Sequence, residues 1–507
     1  LAVEYGCVIF AIAESPLEKG CIWVGTNDGL VQITRDGGKA WTNVSENIPK
    51  LPPWGTVSNI EPSRYHAGTA YLTVDFHQMN NRDPFVYKTS DYGKSWKSIS
   101  SNILKSIFSY VHWVHEDPVR EGMLYLGTEN TIYISFNDGK NWLSLQNNLP
   151  HAPVHHMVIQ EHYNDLVVGT YGRGFWILDD ITPLQQLTDK ILSSQVHLFK
   201  SRFAYRLHSM ASGPRLWPKT TINYYLKNVP KGKVFITIFD EQGKKVKSLP
   251  GSKKVGINRV IWDLRHYPAR GAKLRTKPLK NPQVVEEKRF HFQWEREGWY
   301  PILSWGTWGG FSGFLVSPGT YTVQLKVGDQ EFTQRLEVKK DPRSEGTLAD
   351  IKEQEKLQKQ IRKELNAVSD MISRIEWMRK QLYDLKDVLK TGPDSDQKLT
   401  VIDEFDKKLR SIEDELFQPI IAEGDSKSFR YPHKLYCKLA VLAGDLNDSV
   451  DFAPNKQQKE VYEMLENKAE KQKKRFESLL TRDFPEFNHF LKTKNIAGII
   501  LPKIKSK

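Results

Sequence analysis

A nine-residue pattern occurs three times in the first third of the chain: "ITRDGGKAW" ending at Trp41, "KTSDYGKSW" ending at Trp96 and "ISFNDGKNW" ending at Trp142. The three tryptophans stand 55 and then 46 positions apart, the length of one four-stranded propeller blade. Before or after each box lie β-rich runs around a Gly-Thr turn, as in "CIWVGTNDGLVQIT", "MLYLGTENTIYIS" and "DLVVGTYGRGFWI". The box itself reads as a turn. The side chains of Asp36, Asp91 and Asn137 can accept hydrogen bonds from backbone amides of their own loops. Gly38, Gly93 and Gly139 allow the tight backbone that follows. Trp41, Trp96 and Trp142 are expected to pack the start of the next strand against the blade. These nine residues are structural expectations rather than catalytic ones.

The pattern resembles the BNR/Asp-box repeat of sialidases, xyloglucanase-type glycosidases and sortilin-type receptor propellers. It is most similar to a bacterial group often labelled "glycosyl hydrolase" or sortilin N-terminal-like, in which the propeller ends on a segment such as "NDLVVGTYGRGFWILDDITPL". The resemblance implies a partial propeller over residues 1–190, an Ig-like domain behind it, and a secreted, periplasmic or outer-surface location in a bacterium. Four blades are expected, near Leu1–Glu46, Val57–Ser101, Phe108–Gln146 and Val154–Leu187, the fourth without a box. Such rings usually need six or more blades. Missing N-terminal blades, from the same precursor or from another chain, are therefore expected as a partner, since an open sheet edge is a liability.

Residues 195–343 continue as alternating strands, among them "KVFITIFDEQGKKVKSL" and "SPGTYTVQLKVGDQEFTQRLEVKK", and resemble an Ig-like β-sandwich. A Trp-rich insertion at 266–313 interrupts them; Trp294, Trp299, Trp305 and Trp308 read either as a carbohydrate-stacking platform or, preferably, as a seal against neighbouring elements. From 345 to 507 apolar residues recur at three and four, from Leu357 and Ile361 onward to Leu389. That spacing predicts an all-α helical bundle, with a coiled coil as runner-up and oligomerisation through these helices as a consequence. The fold class is thus multidomain: mainly β, then all-α.

The net charge of +13 raises nucleic acid as a partner, but lysine alternates with glutamate along the helical segments, the pattern of a solvated face. No nucleic acid is expected. No apolar run approaches the length of a transmembrane helix, and no signal peptide stands at the start of this chain. Three cysteines, Cys7, Cys21 and Cys437, do not make a disulfide framework. The histidines His112, His115, His151, His155 and His156 show no metal-ligand spacing, and His155 and His156 should point to opposite sides of a strand. No metal or cofactor is expected.

Propeller ligands usually meet the face carrying the turns between second and third strands. Its candidate acids are Asp28, Asp75, Asp83 and Glu129, a pool from which a glycosidase pair could come. Its candidate ligand contacts are His77, Asn80, Tyr171 and Arg173, joined by Trp299 and Trp305 of the insertion. The expected function is binding or scaffolding of a protein, peptide or carbohydrate; the alternative is glycoside hydrolysis. Turn tips favour Asp and Asn on conformational grounds alone, so these residues are equally ordinary as loop residues.

Overall fold

Short β-branched and aromatic runs separated by Asp-Gly and Gly-Thr turns leave the first 180 residues little choice but hairpins. The computed structural model describes residues 6, 8–207, 219–277, 298–302, 307–391, 395–418, 431–449 and 451–502. They form two units, Leu1–Phe199 and Lys200–Lys507. In the first unit, β1 (Ile9–Glu14), β2 (Ile22–Thr26), β3 (Val31–Thr34) and β4 (Thr42–Asn43) make one antiparallel sheet in sequence order. A second sheet holds β5 (Thr56–Pro62), β6 (Ala70–Asp75), β7 (Phe85–Thr89) and β8 (Lys97–Ser98). The third holds β9 (Val111–Glu116), β10 (Leu124–Thr128), β11 (Ile132–Ser135) and β12 (Leu143–Ser144). The fourth has three strands, β13 (Val154–Gln160), β14 (Asp165–Thr170) and β15 (Phe175–Leu178). Four consecutive up-and-down sheets of this kind have the form of propeller blades.

The boxes build the same turn three times. Asp36 Oδ1 accepts from the amides of Lys39 (2.9 Å) and Ala40 (3.0 Å), Asp91 Oδ1 from Ser95 (2.9 Å), and Asn137 Oδ1 from Asn141 (2.9 Å). The hydroxyls of Thr34, Thr89 and Ser135 accept from the amides of Gly38, Gly93 and Gly139 at 2.9–3.0 Å. Bonds from the Ala40 amide and the Thr34 hydroxyl hold the Asp36 carboxyl below the usual range; at Asp91 burial pushes the carboxyl up, but bonds from the Ser95 hydroxyl and amide outweigh it.

The tryptophans behave differently from the expectation. Trp96 meets Trp23 of the first blade edge to face at 5.9 Å, and the Trp142 indole donates to Ile99 O of the second blade at 2.7 Å. Each therefore packs on the preceding blade rather than only on its own next strand. A Cβ on Gly93 would lie 3.0 Å from Val44, and one on Gly139 2.7 Å from Ile99, so the box glycines let that preceding blade approach. Trp96 and Trp142 are 7% and 3% exposed, whereas Trp41 is 43% exposed. Among the described residues Trp41 has no preceding blade to cover it.

After two short helices, α1 (Thr182–Gln186) and α2 (Asp189–Ser193), and a short strand, β16 (Val196–Leu198), the second unit begins. Its larger sheet runs β17 (Ala204–Arg206), β25 (Gln330–Lys340), β24 (Gly319–Val327), β19 (Val234–Phe239), β20 (Lys245–Pro250), with only β17 and β25 parallel. A separate antiparallel pair, β18 (Thr220–Leu226) and β21 (Gly256–Trp262), lies in a second sheet, and β22 (Lys273–Leu274) pairs with β23 (Tyr300–Pro301). Trp262 of that pair and Tyr321 of β24 meet at 5.6 Å, so side chains of the two sheets share a core.

Helix α3 (Leu348–Leu389) starts at a Thr347–Asp350 capping box, which satisfies the free amides of its first turn. Helices α4 (Ser395–Leu416), α5 (Leu435–Asp448), α6 (Lys456–Ser478) and α7 (Phe484–Thr493) follow. The α3 seam of Ile361, Leu365, Val368, Ile372 and Ile375 is fully buried in one core with residues of the other four helices. The chain's own helices therefore fill that seam. Cys21 and Cys437 are buried thiols, and Cys7 lies outside the described residues. No described helix is long and apolar enough to cross a membrane.

Candidate site on the loop face of the blades

The innermost strand of each blade carries one extra residue near its start. The pairing skips between Ile9 and Ala11, Val57 and Asn59, Val111 and Trp113, and Val154 and His156. The skipped residues are Phe10, Ser58, His112 and His155. Such a bulge re-aims a side chain that plain alternation would send elsewhere. In blades one, three and four the turns between second and third strands are tied back to the segment preceding the innermost strand: Asn27 N to Val8 O (3.0 Å), Glu129 N to Tyr110 O (3.1 Å) and Tyr171 N to Pro153 O (2.9 Å). Those bonds bring turn tips and bulged residues to one place.

In blades two to four this produces a continuous row of rings. His77 stacks on Tyr110 with centroids 5.0 Å apart, and Tyr110 meets His112 edge-on at 5.3 Å. His112 stacks on His155 at 4.2 Å and 17°, and His155 meets Tyr171 at 5.7 Å. The Arg82 guanidinium lies 5.3 Å from the Tyr110 ring centre. His112 and Tyr110 are buried, His77 and Glu129 half-buried, and His155 and Tyr171 exposed.

Carboxylates orient the row. Asp75 Oδ1 accepts from the His77 amide at 2.8 Å, and Asp75 Oδ2 from His77 Nδ1 at 2.7 Å. The same Oδ2 is 3.9 Å from His112 Nδ1. On the other side of the ring, His112 Nε2 donates to Glu129 Oε2 at 2.8 Å. Burial and the Tyr110–Glu129 hydrogen bond push the Tyr110 hydroxyl up, so it stays protonated and donates. Burial, then the neighbouring His112, lowers the His155 pKa: two stacked imidazoles resist charging together.

Of the sequence candidates, the structure sets Asp75 and Glu129 against His112, with His77 and Tyr171 at the two ends of the ring row. Asp28 accepts from the Thr26 hydroxyl within its own turn. Asp83 pairs with Lys105 at 2.5 Å. Asn80 ends the His77–Met79 turn with φ 58°. Arg173 is exposed between Gly172 and Gly174, and its carbonyl accepts from the Trp176 indole at 3.0 Å. Trp299 lies under the Lys273 ammonium at 4.3 Å in the second unit. Trp294 and Trp305 fall outside the described residues. Elsewhere in the insertion, Phe311 stacks on Tyr436, and a Cβ on Gly310 would collide with the Ala440 carbonyl at 2.3 Å, so this part lies directly on helix α5.

Sequence reasoning passed over Tyr110 and set His112 and His155 aside because they show no metal-ligand spacing. The usable signal was the blade repeat: "VSNIE", "VHWVHE" and "VHHMV" place Ser58, His112 and His155 at one equivalent position. His156 does point away from His155, onto Trp113 at 4.1 Å.

No known protein-family model matches the chain, and no curated protein matches it. Among solved structures it is similar to YCF48 from Cyanidioschyzon merolae, at 18% identity, with 44% of this chain and 68% of that one covered and a TM-score of 0.24. It is similar also to YCF48 bound to D1 peptide, at 13% identity, 64% and 81% coverage and a TM-score of 0.23. A GH74 enzyme from Niastella koreensis shows 12% identity, 65% and 53% coverage and a TM-score of 0.28. The blade assignment rests on the strand order and the turn bonds above, not on these likenesses.

Proposed function

We propose that this chain is a secreted or surface binding and scaffold protein, and that the ring row from His77 to Tyr171 is the floor on which a peptide, protein or glycan ligand lies. One observation carries the choice over glycoside hydrolysis. A glycosidase needs two carboxylates facing a common gap that the sugar can enter. Here the most convergent acids, Asp75 and Glu129, both face the His112 imidazole, whose ring fills the space between them. Their bonds orient rings; rings with exposed faces bind by stacking and apolar contact.

The scaffold reading extends to the rest of the chain. The strands of the second unit serve as an Ig-like spacer and the helices as a further structural element. Further blades, from the same precursor or another chain, pack on the outer faces of blades one and four. In support, Phe10 and Ile12 of β1 are 60% and 68% exposed, and Phe175 of β15 is 85% exposed.

The test offers the full chain a displayed peptide library and an oligosaccharide array, with sugar release measured in parallel. Retention of a ligand class that weakens about tenfold in Tyr171→Ala, the loss typical of an aromatic contact, supports binding. Sugar release by the wild type that disappears in Glu129→Gln establishes hydrolysis instead.

A further inference from the structure

We infer that His112, Glu129 and His155 form a binding site for a single divalent transition-metal cation of the class that imidazole favours, whatever organic ligand the face takes. One donor atom from each residue lies within 4.8 Å of the other two. Donors about 2.0–2.2 Å from a tetrahedral zinc ion stand about 3.3 Å from one another. The His112 and His155 rings stack at 17°, so their in-plane lone pairs run side by side, and the exposed His155 ring must turn out of the stack for the three donors to close on an ion. The donor set, two imidazoles and a carboxylate, suits zinc and its neighbours rather than calcium or magnesium.

The surroundings match what a metal-binding histidine requires. A ligating imidazole presents one nitrogen to the ion and its other N–H to a carboxylate, which sets the tautomer. His112 turns Nε2 toward Glu129 and Nδ1 toward Asp75, 3.9 Å away, and Asp75 is itself anchored by two bonds from His77. A bound ion would take the place of the proton between His112 Nε2 and Glu129 Oε2, and the Asp75 charge 3.9 Å from Nδ1 would favour the tautomer that keeps the proton there. Tyr110 steadies Glu129 from the side. His112 and His155 occupy the same bulged position in consecutive blades, so strand pairing fixes both backbones. Burial is graded from His112 (buried) to His155 (exposed), which leaves an approach from solvent. Three protein donors also leave a coordination position open to water or to an incoming ligand group.

The experiment is titration of the chelator-treated full chain with Zn2+ by calorimetry, and with Co2+ by visible absorption. The expected result is uptake of one equivalent, with cobalt bands of a nitrogen- and oxygen-ligated site. Affinity should fall by at least about tenfold in His155→Ala, Glu129→Gln and Asp75→Asn. His155 is exposed, so its variant should keep the parent's melting temperature and remains informative if Glu129→Gln does not fold. His156→Ala, whose ring lies on Trp113, should bind as the parent does. Absence of stoichiometric uptake, unchanged affinity in His155→Ala, or equal loss in His156→Ala overturns the assignment. These outcomes are read without any peptide or glycan, so they stand apart from the fate of the binding reading.

Discussion

A single extra residue in an innermost strand decides which side chain reaches the loop face, and in blades three and four that residue is histidine. Alternation along "VHWVHE" puts His112 opposite Trp113; the bulge sends it to Glu129 and His155 instead. The bulge is visible only in the pairing with β10, so the cluster was not legible from His112 alone. The same scale gives a contrast between equivalent tryptophans. Trp142→Ala should cost about 3–5 kcal/mol, the range for a buried aromatic, because its ring and its bond to Ile99 are both lost. Trp41→Ala should shift stability by no more than about 0.5 kcal/mol, as for other exposed positions. Urea unfolding of the first unit, followed for each variant, checks both; equal losses would mean that Trp41 is covered.

In the second unit, His266 and Glu355 face each other at 2.8 Å, both largely buried. Burial lowers the His266 pKa against the pull of Glu355. Burial raises Glu355, but hydrogen bonds from His266, Lys359 and Ser317 outweigh it and hold the carboxyl far below its ordinary 4.5. Both folded-state values lie below the unfolded ones. The sign is therefore the same for both: stability is complete above the unfolded values and is lost as pH falls, first below 6.5 and then below 4.5. Melting temperature measured from pH 7 to pH 4 should fall, and Glu355→Gln should flatten the part below 4.5. A flat profile in the parent would contradict the pairing.

At the scale of elements, blades and helices were legible because each is written in a short-range code. The boxes place a turn, and 3.6-residue spacing from Leu357 to Leu389 places α3, observed at Leu348–Leu389. What the code omits is contact between elements. The Trp142 indole reaching Ile99 of another blade, or Phe311 lying on Tyr436, follows from packing that no local spacing records. The same holds for the polar knot in the bundle. Arg379 of α3 donates to Asp406 of α4 at 2.9 Å and also to Glu413 and Tyr383, while Glu376 accepts from the Thr276 amide at 2.7 Å. Burial, then the nearby Glu376, pushes Glu413 well above the carboxylate range. Arg379→Ala leaves the buried Glu413 without its cation, although Asp406 keeps Arg410, and should cost about 3–5 kcal/mol, read as a lower denaturant midpoint of the helical signal. Arg379→Met together with Glu413→Leu should recover part of that loss, since the buried Glu413 is then not left without its cation while Asp406 keeps Arg410 at 2.9 Å.

For the whole molecule, the four blades supply a face on which Asp75, His77, Glu129 and Tyr171 converge with two histidines, and the acids serve the rings. That arrangement favours holding a ligand over cleaving one. The measurement that tests it most directly is a paired one on the full chain: ligand retention and sugar release, in the parent and in Glu129→Gln and Tyr171→Ala. The account predicts a retained ligand, no released sugar, and weaker retention in both variants. Sugar released by the parent and abolished in Glu129→Gln, with retention unaffected in Tyr171→Ala, would contradict it.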